Sequence, residues 1–138
     1  MFTETLSIKT RGAGLLEITR AIEEIIARSG IRTGLCSVFV MHTSASLLIT
    51  ENADPSARHD VEGWFDRIAP AGDPHYTHTA EGPDDMPSHL KSAVTRTSET
   101  IHVDDGSLTL GTWQGLFLFE HRTRPHRRTI RVRVWGDR

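Results

Sequence analysis

Residues 100–110, TIHVDDGSLTL, carry the pattern that decides the fold of this chain. Two short apolar runs flank Asp105-Gly106, and Asp-Gly between such runs is a strong signal for a two-residue β-hairpin turn. Two more apolar runs follow at 116–119 and 129–135. Successive strands joined by short connections form a meander, and the strands of a meander pair antiparallel. The C-terminal part of the chain therefore predicts an antiparallel sheet.

The first thirty residues predict one strand and one helix. Residues 2–9 alternate between apolar and polar side chains, with Glu4 as the exception on the apolar side, and this alternation is typical of a half-buried strand. Residues 14–29 show helical spacing, and Gly30 stands where a helix C-terminus favours a left-handed residue. The apolar stripe of this predicted helix contains Leu15, Ile18, Ile22, Ile25 and Ile26.

The middle of the chain predicts two strands, a second helix and a long loop. Apolar runs at 34–41 and 47–50 predict the strands. Asp54-Pro55 predicts a helix start, because Asp is a favoured N-cap and Pro is tolerated at the first helical position. The buried face of this second helix contains Val61, Trp64, Phe65 and Ile68, and a short helix is predicted over 87–94 after the loop 70–87.

This order of elements predicts an α+β fold, a single compact domain over residues 1–138 built on mainly antiparallel β-sheets, with two principal helices and one short helix. A length of 138 residues allows one domain with a substantial core but not two ordinary domains. The apolar fraction of 37%, the charged fraction of 25% and the net charge of −2 are typical of a soluble globular protein.

Localisation follows from what the sequence lacks. No apolar run approaches the ~20 residues that span a bilayer, so we expect no membrane insertion. The start of the chain lacks the basic and apolar regions of a secretory signal. Cys36, the single cysteine, lies among apolar residues and predicts a buried thiol. We therefore expect a cytoplasmic protein.

Residues 78–89, HTAEGPDDMPSH, hold the densest set of titratable side chains, two histidines and three acids. Imidazoles with carboxylates nearby suit a divalent transition metal such as zinc, with a position left open for water or substrate. The alternative is that His78 and His89 are surface or capping residues. Asp84 and Asp85 also have an alternative role, because they precede the short helix and suit its N-terminus.

Two shorter clusters share this chemistry. His42 and the triplet 120–122 each follow an apolar run, so strand ends would deliver both clusters to one cleft. Beside the hydroxyls at 43 and 44, His42 suits a general base or a phosphate donor, although a structural role is the alternative. We predict that six side chains converge on one pocket: His42, His78, His89, His121, Glu81 and Glu120.

Two further segments have simpler interpretations. Arginines crowd residues 122–133, and over 129–135 they alternate with apolar residues, as on the solvated face of a strand. Nucleic-acid binding is not expected, because the net charge is slightly negative and aromatic or glycine-rich interleaving is absent. The segment 111–115, GTWQG, predicts either a turn with Trp113 packed on the core or a backbone nest for an anion.

Four segments together resemble the YjbQ-like family, called secondary thiamine-phosphate synthase. They are HTSAS at 42–46, ENADP at 51–55, HTAEGPDDMPSHLK at 78–91 and GTWQGLFLFEHR at 111–122. The resemblance implies an antiparallel α+β domain, a homotrimer and a pocket that gathers these motifs. It also implies a weak activity in which a thiazole phosphate displaces pyrophosphate from a pyrimidine diphosphate, with the physiological substrate left open.

The residues and the resemblance together assign roles to thirteen side chains. The predicted catalytic residues are His42, Asp54, Glu81, Asp85, Glu120 and His121. The predicted substrate-binding residues are Thr43, Ser44, Asp84, Gln114 and Arg122, and the predicted metal ligands are His78 and His89. The expected partners are a divalent metal, zinc or magnesium, a phosphorylated small molecule and two further copies of the chain, with residues from two chains lining each site. A non-catalytic metal- or ligand-binding trimer is the alternative function, and Asp54 is either catalytic or only an N-cap.

Overall fold

The computed structural model describes every residue from Met1 to Arg138, folded into eight strands and three helices. The strands are β1 (Phe2–Lys9), β2 (Gly14–Glu17), β3 (Thr33–Val40), β4 (Ala45–Glu51), β5 (Ser98–Asp104), β6 (Ser107–Leu108), β7 (Gln114–Glu120) and β8 (Arg127–Asp137). The helices are α1 (Thr19–Ser29), α2 (Pro55–Ile68) and α3 (Asp85–Val94). None of the three helices combines the length and apolar character needed to cross a membrane.

The strands form two sheets in which every pairing is antiparallel. One sheet has the order β1-β8-β3-β5-β6 and the other the order β2-β7-β4. Asp105 and Gly106 join β5 to β6 with φ values of 50° and 78°, the positive values that a type I′ turn requires. The predicted α+β domain with mainly antiparallel sheets and three helices is therefore confirmed.

The core lies between the two sheets and is completed by α1. Eighteen buried apolar residues form it, drawn from the inner faces of both sheets and from the predicted stripe of α1. The alternation of β1 is confirmed, since its even-numbered side chains are half-buried. Glu4, the exception in that pattern, forms an ion pair of 2.8 Å with Arg28 at the end of α1. The pair explains how a carboxylate occupies the apolar side of the strand.

The predicted helix over 14–29 is wrong at its start. Gly14–Glu17 form strand β2, with Leu15 opposite Phe119 of β7, and the helix begins at Thr19. Gly14 has φ 139°, a backbone conformation that a helix does not contain. The backbone groups of these residues pair with β7, so the helical spacing of Leu15 relative to Ile18 did not reflect local structure.

Smaller boundary differences concern the site. β4 begins at Ala45 rather than at 47, and α3 begins at Asp85 rather than at 87. In the three-stranded sheet, Ala45 pairs with Glu120 at one end and Glu51 pairs with Gln114 at the other. Six residue steps separate these ends, which corresponds to ~20 Å along a strand. The strands of this sheet therefore end at two distant places, and only one of these ends can lie beside α3 and its preceding loop.

Candidate metal centre

Three side chains from the segment 78–89 meet at one point. Asp85 and His89 are separated by one turn of α3 and share a face of that helix, while His78 comes from the preceding loop. The Nε2 atom of His78 lies 2.8 Å from Oδ2 of Asp85, and Nε2 of His89 lies 3.0 Å from the same oxygen. All three potential ligand atoms lie within 4.8 Å of one another. The loop folds back as the metal hypothesis requires.

The second nitrogen of His89 fixes its tautomer. Nδ1 lies 3.0 Å from the carbonyl oxygen of Thr43, and a carbonyl can only accept, so Nδ1 carries a hydrogen and donates it. In neutral His89 the Nε2 lone pair then points at the carboxylate of Asp85. Two acceptors at 3.0 Å repel each other unless a proton or a metal cation lies between them. This arrangement is typical of a metal-bound imidazole held by an outer hydrogen bond.

Asp85 is held rigidly on its other side. Its Oδ1 accepts a hydrogen bond of 2.8 Å from Nη1 of Arg122, and Asp85 itself is only 1% exposed. Burial raises the pKa of this carboxyl, but the hydrogen bonds and charges of His78, His89 and Arg122 outweigh it and hold the pKa below its ordinary value. Asp85 is therefore an ionised carboxylate at neutral pH.

Arg122 ties the cluster to the end of the three-stranded sheet. Its Nε donates to Oδ2 of Asp84 at 3.0 Å, and its Nη2 donates to the carbonyl oxygen of Glu81 at 3.0 Å. The backbone N–H of Thr123 also donates to Asp84, at 2.9 Å. Burial raises the pKa of Asp84, but the bonds from Thr123 and Arg122 outweigh it and lower the pKa to about 2.

The contacts of Asp84 and Arg122 differ from the predicted substrate-binding role, because both side chains are engaged within the protein. Asp84 occupies the N-cap position of α3 without making a side-chain cap hydrogen bond. Glu81 contributes its carbonyl oxygen to Arg122, while its own side chain is exposed. These residues position Asp85, and the carboxylates of Asp84 and Glu81 do not join the two histidines.

A cavity of about 620 Å³ opens beside the cluster. It is lined by His42, Thr43, His78, Met86, His89, Ser92, Ala93, Thr95 and Thr97. This volume is in the range of small-molecule sites, which span ~300–1,000 Å³. Four of the lining residues carry hydroxyl groups, and the Oγ atom of Ser92 is buried without a hydrogen-bond partner in the protein. The Thr95 hydroxyl is bonded to Ser46 and to the carbonyl oxygen of Lys91, so Thr43 and Thr97 are the residues whose hydroxyls can donate to a polar ligand.

His42 lies on this wall with one nitrogen already engaged. Its Nε2 accepts a hydrogen bond of 2.8 Å from the backbone N–H of Thr129, and its Nδ1 lies 3.4 Å from Nη1 of Arg128. Burial is the largest cause that lowers the pKa of His42, and the charge of Arg128 lowers it further. His42 is therefore neutral, and the lone pair that a general base needs is used by the backbone. This geometry supports a donor role more than the predicted base.

Glu120 and His121 lie behind the cavity rather than on its wall. Glu120 is 1% exposed, and its carboxylate accepts hydrogen bonds from Thr10 Oγ1 at 2.6 Å, from Arg128 Nε at 2.9 Å and from a second nitrogen of Arg128. His121 is buried against Phe119, with Nε2 2.8 Å from Ser46 Oγ. Burial, followed by the charges of Lys91 and Arg128, lowers the pKa of His121 to about 3.

The predicted convergence of six side chains is thus only partly realised. Three of the four histidines reach one cavity, while Glu81 points outward and the pair 120–121 is buried. The physical reason is that β7 is the central strand of its sheet and is covered on both faces, so its last residue remains inside the protein.

Asp54 and Gln114 lie at the end of the three-stranded sheet opposite to Glu120. Asp54 is the N-cap of α2, with a bond of 2.9 Å from the backbone N–H of Ser56, and Gln114 accepts a bond of 2.7 Å from the N–H of Gly111. They are ~20 Å from the end of the strands that carries Glu120, so they cannot reach the cavity of their own chain. Trp113 beside them is 64% exposed, which contradicts the turn with this residue packed on the core.

Sequence reasoning missed the part of the cavity wall that α3 supplies. Met86, Ser92 and Ala93 lie on the same face of this helix as His89, at separations of three and four residues. That spacing was a usable signal once the helix was known to begin at Asp85. Thr95 and Thr97 lie in the connection to β5, and their place on the wall follows only from the folded chain.

Comparisons with known proteins agree with this architecture. The family model described as UPF0047 protein YjbQ-like matches residues 4–137. The UPF0047 protein sll1880 of Synechocystis is 50% identical over 134 residues, which cover 97% of this chain and 91% of the relative. The UPF0047 protein YjbQ of Escherichia coli O157:H7 is 41% identical over 135 residues, which cover 98% of this chain and 96% of the relative. The chain belongs to the YjbQ-like family.

Solved structures show the same fold. A YjbQ/UPF0047 family protein from Clostridium acetobutylicum superposes with a TM-score of 0.87 at 33% identity, covering 96% of this chain and 99% of that one. The hypothetical protein APE1520 of Aeropyrum pernix superposes with a TM-score of 0.89 at 29% identity, covering 99% of this chain and 100% of that one. The predicted membership in this family is confirmed, and the names of these relatives state no activity.

Proposed function

We propose that this protein is an enzyme that holds a divalent transition metal with His78, Asp85 and His89 and acts on a phosphorylated small molecule. One observation carries the proposal: two imidazole nitrogens approach a single oxygen of Asp85, and the tautomer of His89 directs a lone pair at that oxygen. A cation resolves this repulsion. Three protein ligands would leave a coordination position open to water or substrate.

The donor set favours zinc or a similar metal over magnesium. Imidazole suits zinc, iron and nickel, whereas magnesium prefers an octahedron of oxygens and retains several waters. The second carboxylate that a magnesium site would need is absent, because Asp84 is engaged by Arg122 and Thr123. The cluster therefore corresponds to the zinc alternative of the two metals that the sequence suggested.

The cavity wall supports an anionic substrate. Apart from the metal-binding cluster, its lining contains no acidic residue, and it offers the hydroxyls of Thr43 and Thr97, since the Thr95 hydroxyl is bonded within the protein and the Ser92 hydroxyl is buried. The Nδ1 atom of His42 and the positive charge of Arg128 behind it add to this environment. Hydroxyl and imidazole N–H groups are suitable partners for phosphoryl oxygens, while Arg128 is buried in its pair with Glu120 and does not contact the cavity. A bound metal would polarise one phosphoryl oxygen as a Lewis acid.

The finer proposal is a thiamine-phosphate synthase reaction of the kind that the family resemblance implies. The ring nitrogen of a thiazole phosphate forms a bond to the methylene carbon of a pyrimidine diphosphate. The carbon–oxygen bond to the diphosphate breaks, and pyrophosphate leaves with the electron pair. Donors on the wall would stabilise the developing negative charge of this leaving group. The physiological substrate of the same site can be another phosphorylated molecule.

We also propose the homotrimer that the sequence suggested, with residues from two chains at each site. Asp54 and Gln114 are too distant from the cavity of their own chain, so a role for them in the site requires a neighbouring copy. We retain the cytoplasm as the expected location. Burial raises the pKa of the Cys36 thiol to about 12, so this cysteine is a packing residue and is not a reactive nucleophile.

One observation favours the alternative of a non-catalytic metal-binding protein. The lone pair of His42 that a base would use is occupied by a backbone N–H, and Glu120 is saturated by its own partners. The cavity therefore lacks a free general base. A displacement of pyrophosphate needs no base on the protein, which is why the enzyme remains the first proposal.

Calorimetric titration of chelator-treated protein with zinc, manganese and magnesium tests the metal. We expect zinc to bind with one ion per chain and the Asp85→Asn variant to lose this binding, while the control His102→Asn, an exposed histidine on β5, retains it. Pyrophosphate release from a pyrimidine diphosphate mixed with a thiazole phosphate then tests the reaction. Zinc binding without release would favour the alternative function, and absence of zinc binding would refute the metal centre.

A further inference from the structure

The outer face of the five-stranded sheet is not covered by any helix. The inner faces of its strands supply core residues, and α1 packs on that inner side. The other two helices contact the three-stranded sheet, α2 through β2 and α3 through β4. Along β8 the side chains alternate, with apolar residues buried and Arg127, Arg131, Arg133 and Trp135 exposed. One complete sheet face is therefore open in the single chain.

The strand register brings aromatic and basic side chains together on this face. Arg131 pairs with Phe39 of β3 on one side and with Thr5 of β1 on the other. Arg133 likewise lies between Ser37 and Thr3. A shallow groove of about 320 Å³ results, lined by Ser37, Phe39, Arg131, Arg133 and Trp135. Phe39 and Trp135 lie at the two ends of the groove; in the register Arg131 is directly opposite Phe39, and Arg133 occupies the row between the two aromatic residues.

The positive charges on this face are not neutralised. Arg127 donates to the hydroxyl of Ser7 at 3.2 Å and Arg133 donates to the hydroxyl of Thr3 at 3.3 Å, while neither forms an ion pair. Lys9 and Arg131 also lack an acidic partner. The acids on this face are Asp104 and Asp137, which lie together at one end of the strands. In a protein with net charge −2, positive charge is thus concentrated on one surface.

We propose that this basic and aromatic face binds single-stranded nucleic acid. A single strand presents phosphates for the four cations and bases that stack on Phe39 and Trp135, the combination used by sequence-tolerant binders. The sequence argued against this function because the net charge is slightly negative and no aromatic or glycine residue lies between the arginines along the chain. The fold supplies the missing aromatic ring from β3, a strand about ninety residues away in sequence. This inference is independent of the metal centre.

Fluorescence anisotropy with labelled twenty-nucleotide RNA and DNA of mixed sequence tests the proposal. We expect binding of single strands in preference to the duplex of the same sequence. The logarithm of the affinity should fall against the logarithm of salt concentration with a slope of about −3, because four neutralised phosphates each contribute ~0.7. Trp135→Ala should weaken binding at least ~5-fold, the effect of losing one stacked base.

The double variant Arg131→Gln, Arg133→Gln should reduce the salt slope by about 1.4, since each lost phosphate contact removes ~0.7. The matched control Arg20→Gln, Arg32→Gln removes two exposed arginines from other surfaces and should leave the affinity and the slope unchanged. Light scattering of every variant should report the mass of the wild type.

Three outcomes would overturn the proposal. Wild-type protein could fail to bind any strand, or the control pair could weaken binding as much as the face variants. Alternatively, the face variants could lower the oligomer mass, in which case the face is an interface between copies of this chain.

Discussion

Two carboxylates near one end of the three-stranded sheet, Glu120 and Asp85, each form an ion pair with an arginine, yet their surroundings differ. Glu120 is buried with both oxygens saturated by Arg128, Thr10 and backbone N–H groups. Asp85 offers one oxygen to Arg122 and presents the other to two imidazoles beside a cavity. A saturated buried ion pair organises the protein, whereas an ionised oxygen that faces the Nε2 lone pair of neutral His89 is suited to a cation. Burial of an acid therefore does not by itself identify a site.

Both carboxyls have a pKa below the ordinary value, so the pKa does not distinguish them. For Glu120, burial raises the pKa and the bonds from Arg128 and Thr10 more than reverse this. For Asp85, the bonds from His78 and His89 and the charge of Arg122 play that part, and an imidazole supplies such a bond only when its Nε2 carries a proton; a metal cation would take the place of that proton. The distinguishing property is whether the hydrogen-bonding partners carry protons of their own. Arginine always does, while an imidazole can present a lone pair.

The largest expected effect comes from the buried pair. Glu120→Gln should lower the free energy of unfolding by about 3–5 kcal/mol, because Arg128 is left buried without its counter-charge. Urea unfolding measures this loss, and zinc affinity of the folded fraction should not change. The double variant Glu120→Leu, Arg128→Met is the control, since removing both charges should recover part of the stability. If Glu120→Gln were as stable as wild type, the structural role assigned to Glu120 would be wrong.

The second effect concerns the other carboxylate. Asp85→Asn keeps the shape of the side chain but removes the negative charge, so we expect zinc affinity to fall at least ~100-fold, more than the loss for an outer-shell residue. Calorimetry with the apo-protein measures this change. The unfolding free energy without metal should decrease less than in Glu120→Gln. An Asp85→Asn protein that binds zinc like the wild type would remove the basis of the comparison.

Arg122 is expected to act through Asp85 and not on the metal directly. Arg122→Gln should weaken zinc binding about 10- to 100-fold, the range for residues that orient a metal ligand. Arg122→Lys should not restore it, because an ammonium group cannot reach Asp84, Asp85 and the Glu81 carbonyl together. Zinc titration of the three proteins measures the effect. Unchanged affinity in both variants would show that Asp85 needs no support.

The buried side of the comparison also predicts a pH dependence. The pKa of His121 is lowered to about 3 from an ordinary value of 6.5, so the unfolded chain binds a proton in this interval and the folded chain does not. Stability should therefore fall as the pH decreases from about 6.5 towards about 3. His121→Gln should reduce the pH dependence of the urea unfolding midpoint between pH 6.5 and 5, an interval in which carboxylates are still ionised. The exposed control His102→Gln should not, and an equal change in both would assign the slope elsewhere.

The smallest effect is expected for Asp54, at the opposite end of the three-stranded sheet. Asp54→Ala removes the hydrogen bond to the N–H of Ser56 and should lower the urea midpoint only slightly, with zinc affinity unchanged. Ser56→Ala is the matched control, because it leaves the backbone donor in place. Loss of pyrophosphate release at unchanged stability would instead place Asp54 in a site completed by a neighbouring chain.

Local signals in the sequence determined much of the fold. Alternation over 2–9, the Asp105-Gly106 turn and the Asp54-Pro55 helix start each report a backbone preference of a few consecutive residues. The density of histidine and acid in 78–89 also identified the segment whose His78, Asp85 and His89 lie close enough together to hold a metal ion. These inferences held because the residues that decide them are neighbours in the chain.

Only the tertiary structure decided how distant segments meet. β7 determines that Arg122 reaches Asp85 and that Glu120 stays buried, and β3 places Phe39 beside Arg131. Pairing with β7 also explains why the start of the predicted first helix forms strand β2. The physical reason is that strand pairing is chosen by burial and register over the whole molecule, so local side-chain spacing carries no record of the partner.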